Sequence, residues 1–302
     1  MRFLITGGTG LVGKELTSIL LAEGHEVGIL TRSKRESKGK VTYFQWDIDQ
    51  QEIEEQALEG VDCLIHLAGA GIADKRWSEK RKQEIIDSRV NPLKFLAAEF
   101  QRKGNFPAKI VSASAIGYYG FDTGDQLLSE VHKAGKDYIS NVVVEWEKAV
   151  NAFAKTASSP AVKLRIGIVL DKNAGALPQL AMPVKLGVGS PLGDGEQWMS
   201  WIHVHDLAQM FYEAATNKAM DGVFNAVAPN PEQNKTIVKE LGKVLKRPIW
   251  APNVPKIALK LLLQERAQLV LGGNKVSSVK IEDTGFTFKF KELSDALADI
   301  YS

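Results

Sequence analysis

The 302-residue chain has a single cysteine, Cys63, and its charges nearly cancel, with 38 basic against 36 acidic side chains. One thiol cannot close a disulfide within the chain, and zinc sites built from cysteine pairs are excluded with it. A net charge of +2 gives no general attraction for nucleic acid or an anionic bilayer. No segment approaches the roughly 18 uninterrupted apolar residues of a membrane span. Met1-Arg2-Phe3-Leu4-Ile5 runs directly into a glycine turn, where a signal peptide would continue as an apolar stretch with a small-residue cleavage site. His203 and His205 alternate on an extended segment without a second ligand cluster, so no metal is expected. These absences predict a protein of the reducing cytoplasm with a small-molecule substrate, and neither nucleic acid nor membrane as partner. With 44% apolar and 25% charged residues, disordered and collagen-like readings are also excluded.

What is present is an alternation of strand and helix patterns with glycines between them. Residues 2–6 (RFLIT) read as a buried strand, and residues 11–23 carry Leu16, Ile19 and Leu20 on one helical stripe closed by Gly24. A second strand, 25–31, completes a strand–helix–strand unit of about 30 residues. Its first turn reads Gly7-Gly8-Thr9-Gly10-Leu11-Val12-Gly13. In such a turn one glycine makes the tight bend, one lets backbone approach a pyrophosphate, and one lets the helix pack on the sheet. The helix N-terminus adds free N–H groups and partial positive charge. Gly7, Thr9, Gly10, Leu11, Val12 and Gly13 are therefore candidate dinucleotide ligands, against the plainer reading of a strand-to-helix turn.

About 20 residues beyond that turn, a site for NAD places an acid on the ribose hydroxyl. Here the position reads Thr31-Arg32-Ser33-Lys34-Arg35, with no acid. Arg32 can fork onto a 2′-phosphate with Ser33 and Lys34 in support, which predicts NADP(H) over NAD(H); the alternative is a solvated basic loop. Residues 41–48 read as a third strand, with Asp47 near the adenine position, and 50–59 as an acidic helix. Residues 61–69 form a continuous apolar run, as a central parallel strand should. Within it Cys63 is a core filler, and His66 is a strand-end structural histidine in preference to a base. Leu67, Ala68 and Gly69 are small enough to let backbone approach a ligand at the strand's carboxyl end.

These motifs, with Ser112-Ala113-Ser114-Ala115-Ile116-Gly117-Tyr118-Tyr119-Gly120, resemble the extended short-chain dehydrogenase/reductases related to sugar-nucleotide epimerases. Arg76-Trp77, Ser88-Arg89-Val90, Trp146-Glu147, Leu164-Arg165-Ile166-Gly167 and Ser200-Trp201-Ile202-His203 resemble more closely their atypical "epimerase family protein" subgroup, from residue 2 to about 296. The resemblance implies an α/β fold: a Rossmann doubly wound parallel sheet with a smaller, interleaved C-terminal substrate module. It implies an NADP(H)-binding, epimerase/dehydratase-like oxidoreductase acting on a small substrate, with a nucleotide sugar among the candidates. Ser112 joins the cofactor-binding set and Ser114 takes the substrate-oxygen position. The family's Tyr-x-x-x-Lys pair, in which a lysine lowers the tyrosine pKa for proton transfer, is missing. Counted from Glu147, those positions hold Ile139 and Val143. Tyr138 is one residue away and is the substitute candidate, with Tyr118 and Tyr119 following Ser114. The alternative is a catalytically silent NADPH-binding sensor or docking protein.

Arg89 falls where related enzymes carry asparagine. It either pairs with a cofactor phosphate or substrate carboxylate, or serves as a structural ion-pair partner. Trp77, among Arg76, Lys80, Arg81 and Lys82, either grips an anionic planar ligand or lies on a solvated basic helix face. Residues 162–170 read as one strand. The Gly- and Pro-rich stretch that follows, to Trp198, reads as loop and short hairpins in place of a helix, and Gln197 and Trp201 are cleft candidates. Asp206 reads as a helix cap. The expected division is a Rossmann domain over 1–247, with a substrate insertion at about 172–200, and a small module over 248–297. In that module Leu259, Leu262 and Leu263 read as core.

Overall fold

The structure is a computed structural model that describes residues 1–37 and 39–302. Its first half runs β1 (Arg2–Thr6), α1 (Leu11–Ala22), β2 (Glu26–Thr31), β3 (Val41–Asp47), β4 (Glu52–Ile53), β5 (Cys63–His66), α2 (Glu79–Lys103), β6 (Lys109–Ala115), β7 (Leu127–Leu128), α3 (Tyr138–Ala157) and β8 (Ala161–Ile166). Then come β9 (Ile168–Leu170), α4 (Leu177–Lys185), β10 (Trp198–Met199), β11 (Trp201–His203), α5 (Val204–Thr216), β12 (Gly222–Ala226), β13 (Glu232–Gln233) and α6 (Asn234–Val244). The chain closes with α7 (Lys256–Leu263), α8 (Gln268–Leu271), β14 (Lys275–Val276), α9 (Val279–Glu282) and α10 (Leu293–Tyr301).

The central sheet has the order β12-β8-β6-β5-β1-β2-β3-β4, parallel throughout except for the edge strand β4. Strand order reverses between β1 and β5, which is where open α/β sheets open a crevice at their carboxyl edge. Helices α1 and α5 pack together on one face, α2 and α3 on the other. The strands are apolar because both faces are covered: Phe3, Leu4, Ile5, Leu64, Ile65, Ile110 and Val111 are buried. Cys63 lies in this core, and burial pushes its thiol up to about 12, so it is inert filling.

A second core joins Leu177, Ala181, Val184, Trp201, Ile237, Leu241, Leu293 and Leu297, and so interleaves segments from α4, β11, α6 and α10. Here several local expectations fail. Residues 162–170 are two strands, because a side chain at Gly167 would run into the Ser200 carbonyl; the chain bends there, and β9 leaves the main sheet to pair with β11. The stretch expected as loop contains helix α4. Pro178 sits in its first turn, where no N–H is needed, and Leu177, Ala181 and Val184 supply a buried stripe. The expected acidic helix at 50–59 is the short strand β4, which pairs Ile53 with Trp46, followed by a 3-10 turn, Glu55–Leu58, that buries Ala57 and Leu58. Leu259 is buried as expected, but Leu262 is 76% exposed.

Asp206 does not cap α5. His203 is the N-cap residue, its Nδ1 accepting from the His205 N–H at 3.1 Å. The Asp206 carboxylate instead accepts the N–H groups of Lys289 and Phe290, both at 2.9 Å, tying the C-terminal segment to the first turn of α5.

Candidate functional site

The glycine turn opens at the point where strand order reverses. Gly7 has φ of +71°, and a Cβ there would come within 2.8 Å of the Leu67 backbone. At Gly13 a Cβ would lie 2.5 Å from the Gly8 Cα. Only glycine allows β1, the β5 exit and α1 to meet this closely. Gly10 is exposed and closes the turn by donating its N–H to the Gly7 carbonyl at 3.0 Å. As N-cap of α1 it has no side chain to cover the first N–H groups of the helix. The result is a backbone cradle with open amides beside Leu67 and Ala68, and the residues present fit a pyrophosphate. Arg32, Ser33 and Lys34 are exposed past the end of β2. Asp47, at the end of β3, is exposed and closes a turn by accepting the Asp49 and Gln50 N–H groups at 2.9 and 3.0 Å.

His66 supports this cradle from beneath. Its Nε2 lies 3.1 Å from the Arg89 carbonyl, which can only accept, so Nε2 carries the proton. Its Nδ1 then accepts from the Thr6 hydroxyl at 2.7 Å, while the same oxygen accepts the Ala68 N–H at 3.2 Å. Burial holds the ring neutral, with the pKa down at about 4. The histidine is wholly buried and fixes the β5 exit against β1.

Beyond β5, register explains a buried polar row. Ser114, Arg165 and Asn225 are direct neighbours across β6, β8 and β12 and so point to one face. Glu147 of α3 comes down onto them. It accepts from Ser114 Oγ at 2.7 Å and from Arg165 Nε and Nη2 at 2.8 and 3.0 Å. Arg165 Nη1 reaches the Tyr119 hydroxyl at 3.2 Å, and that hydroxyl donates to Asn225 Oδ1 at 2.7 Å. The Arg165 guanidinium also lies 3.3 Å from the Tyr118 ring centre. Burial opposes the Arg165 charge, but the hydrogen bonds and attraction of Glu147 outweigh it and raise its pKa. Burial pushes the Tyr119 phenol up.

Ser114 is therefore inside strand β6, 2% exposed, with its proton directed at Glu147. Ser112 is fully buried, and its Oγ donates to the Ala113 carbonyl at 2.7 Å. Ile139 and Val143 are buried, and Ile139 packs into the space beside Gly117, so aliphatic side chains fill the positions of the missing pair. Tyr138 begins α3, and its hydroxyl donates to the Lys82 carbonyl at 3.0 Å. Burial raises its pKa, which favours the neutral phenol.

The candidate cleft aromatics are packed more deeply than expected. Trp77 is 7% exposed, donates Nε1 to the Ile72 carbonyl at 2.8 Å, and clusters with Ile85, Ile139 and Val142. Neither a ligand-gripping surface residue nor a member of a solvated helix face fits that position. Trp201 is fully buried, with Nε1 on the Asn230 carbonyl at 2.9 Å, so it has no surface on the cleft. Gln197 donates Nε2 to the Val270 and Leu192 carbonyls, at 2.7 and 3.2 Å, bracing the loop before β10 against α8. Arg89 makes no ion pair among the described residues: its Nη1 donates to the carbonyls of Ala70 and Ile85 at 3.1 and 2.8 Å, and its guanidinium lies 5.1 Å from the Trp146 ring centre. Among the described residues no group of three or more histidine, cysteine or acidic side chains is arranged to hold a metal.

Residues 3–226 match the NAD dependent epimerase/dehydratase family. The chain belongs to that family. Residues 254–300 match a second profile, described only as a domain of unknown function (DUF1731). Over 99% of this chain and 86% of the relative's length, it is 40% identical to the "Epimerase family protein SDR39U1 homolog, chloroplastic" of Arabidopsis thaliana. With "Epimerase family protein YfhF" of Bacillus subtilis the identity is 36%, over 99% and 98%. Among solved structures, human epimerase family protein SDR39U1 (isoform 2) with NADPH superposes with a TM-score of 0.85 at 30% identity, covering 100% of this chain and 99% of that one. UDP-glucuronic acid 4-epimerase from Bacillus cereus, at 18% identity and a TM-score of 0.80, covers 100% and 98% and shares the fold.

The sequence reading of this epimerase-family chain missed the Glu147–Arg165 pair as a unit. Its signal was available: Glu147 follows Trp146 on the apolar side of α3 and Arg165 lies between Leu164 and Ile166 in a central strand, where a buried charge requires a partner.

Proposed function

We propose that this protein binds NADP(H) along the carboxyl edge of the sheet and acts as an oxidoreductase on a small molecule without the tyrosine/lysine proton relay of its relatives. The observation that carries the cofactor reading is the open cradle held by Gly7 and Gly13, with Arg32 past the end of β2 where no acid stands. The pyrophosphate would rest on the amides of Leu11 and Val12 at the start of α1, the adenosine half over β2 and β3 near Asp47, and Arg32 and Ser33 on the 2′-phosphate. Human SDR39U1, 30% identical, is described with NADPH. Bound there, the nicotinamide supplies or accepts a hydride. This chain's residues position the cofactor, while the substrate oxygen takes its proton from water or gives it to water, because the Ser114 and Tyr138 hydroxyl protons are engaged by Glu147 and the Lys82 carbonyl.

Arg32→Ala should weaken NADPH binding by about 1.5–3 kcal/mol, the scale of a charged hydrogen bond, and leave NADH nearly unchanged. Titration by cofactor fluorescence measures both, and equal losses would remove the 2′-phosphate role. A silent NADPH-binding protein is the second reading, favoured by the aliphatic Ile139 and Val143 at the relay positions. Tight NADPH binding without oxidation by any of a panel of aldehydes, quinones and nucleotide sugars would decide for it.

A further inference from the structure

The guanidinium of Arg89 is a part-buried charge with no carboxylate paired to it among the described residues. Burial pushes its pKa down to about 10, and no carboxylate is among the charges that act on it; the neighbours are Tyr138 and a second cation, Arg81. The nearby cations have partners of their own: Arg81 pairs with Glu84 at 2.7 Å, and Lys82 with Glu265 at 3.0 Å. Arg89 still carries its charge at neutral pH. An uncompensated buried charge costs several kcal/mol unless an anion joins it.

Geometry leaves the fork half used. Nη1 alone tethers the Ala70 and Ile85 carbonyls, and no hydrogen bond from Nε or Nη2 is formed among the described residues. Neither of those nitrogens is sealed from solvent. Gly69 packs against the guanidinium, where a Cβ would stand 3.0 Å from Cζ, so the lack of a side chain there lets Arg89 lie against the β5 exit. A tether to carbonyls needs only one donor nitrogen, whereas an open guanidinium edge matches a planar carboxylate in two parallel hydrogen bonds.

Position separates the cofactor's phosphates from this cation. The pyrophosphate cradle lies between β1 and β5, and Arg32 lies on the β2 side of it. Arg89 is on the other side, past the β5 exit and against Trp146 and α3, where the nicotinamide half would run over β5 and β6. We propose that Arg89 is a substrate-anion site: its free edge receives a carboxylate of the small molecule that meets the nicotinamide. The substrate class is then a small oxo- or hydroxy-carboxylate. This rests on the NADP(H) reading above.

The test begins with the wild-type protein and NADPH, since failure to bind there refutes the cofactor reading by itself. The NADP+ complex is then titrated with oxalate, pyruvate, lactate and malonate and with the matching uncharged amides, following Tm and ligand-observed NMR. At least one carboxylate should bind the wild-type complex and its amide should not. Arg89→Met should weaken that carboxylate by about tenfold or more while changing NADPH affinity less than about twofold. Arg89→Lys, which keeps one donor for the carbonyl tether, should fold and still lose most of the carboxylate affinity. Absence of carboxylate binding in the wild type overturns the proposal. So does a loss of NADPH affinity of about tenfold in either variant, which would give Arg89 to a cofactor phosphate.

Discussion

At the scale of single residues, the polar groups along the carboxyl half of the sheet divide by whether a neighbour already satisfies them. Ser114, Tyr119, His66 and Tyr138 each have a protein partner, and Arg89 keeps a free edge. The neutral state of His66 has a consequence for stability. Its folded pKa is about 4 against the ordinary 6.5 of a free histidine, so between those values the unfolded chain binds the extra proton. Its contribution is fully present above about pH 6.5 and is lost as pH falls toward 4, by about 3 kcal/mol in all. Denaturant unfolding of wild type and His66→Gln between pH 7 and pH 4 checks this: the wild type should lose more stability, and parallel curves would exclude the histidine.

At the scale of elements, the turn into α1 was legible because its glycines answer local geometry. The structure adds which glycine does what. Gly13→Ala places its methyl 2.5 Å from the Gly8 Cα, so α1 must move off the sheet. We expect a loss of about 1–3 kcal/mol in stability together with NADPH binding. Gly10→Ala meets only the Gly7 carbonyl at 3.2 Å and has φ of −76°, so it should keep stability and weaken NADPH alone. Unfolding midpoints and NADPH titration of the two variants check both, and an unaltered midpoint in Gly13→Ala would refute the packing account. Helix α4 was illegible for the opposite reason. Its flanking glycines and prolines argue for loop, while its stripe of Leu177, Ala181 and Val184 gains meaning only against α6 and α10.

At the scale of the molecule, many polar contacts tie the C-terminal segment to the Rossmann core, among them Ser200 to Asn274, Asn225 to Ser277 and the pairing of β14 with β7; Asp206 makes the two that hold Lys289 and Phe290. Removing a charged acceptor of two backbone N–H groups costs about 1.5–3 kcal/mol or more. Asp206→Ala should lower the unfolding free energy by that amount and speed amide exchange at Lys289 and Phe290. Unchanged exchange would mean that the stretch around Lys289 and Phe290 is held by the buried Phe288, Phe290 and Leu293 without the Asp206 tie. Sequence alone determined the dinucleotide-binding half. Its strand periods, the turn from Gly7 to Gly13 and the missing acid before Arg32 are short-range features, set by backbone sterics and by chemistry at one strand end. Only tertiary structure decided the rest: that Ser114 is buried against Glu147, that Trp77 and Trp201 are interior, and that Arg89 has no paired carboxylate among the described residues. Those outcomes depend on which residues from α2, α3, β6 and β8 meet across register and helix packing. Contacts of that range bring together side chains tens of residues apart, and no local pattern records them.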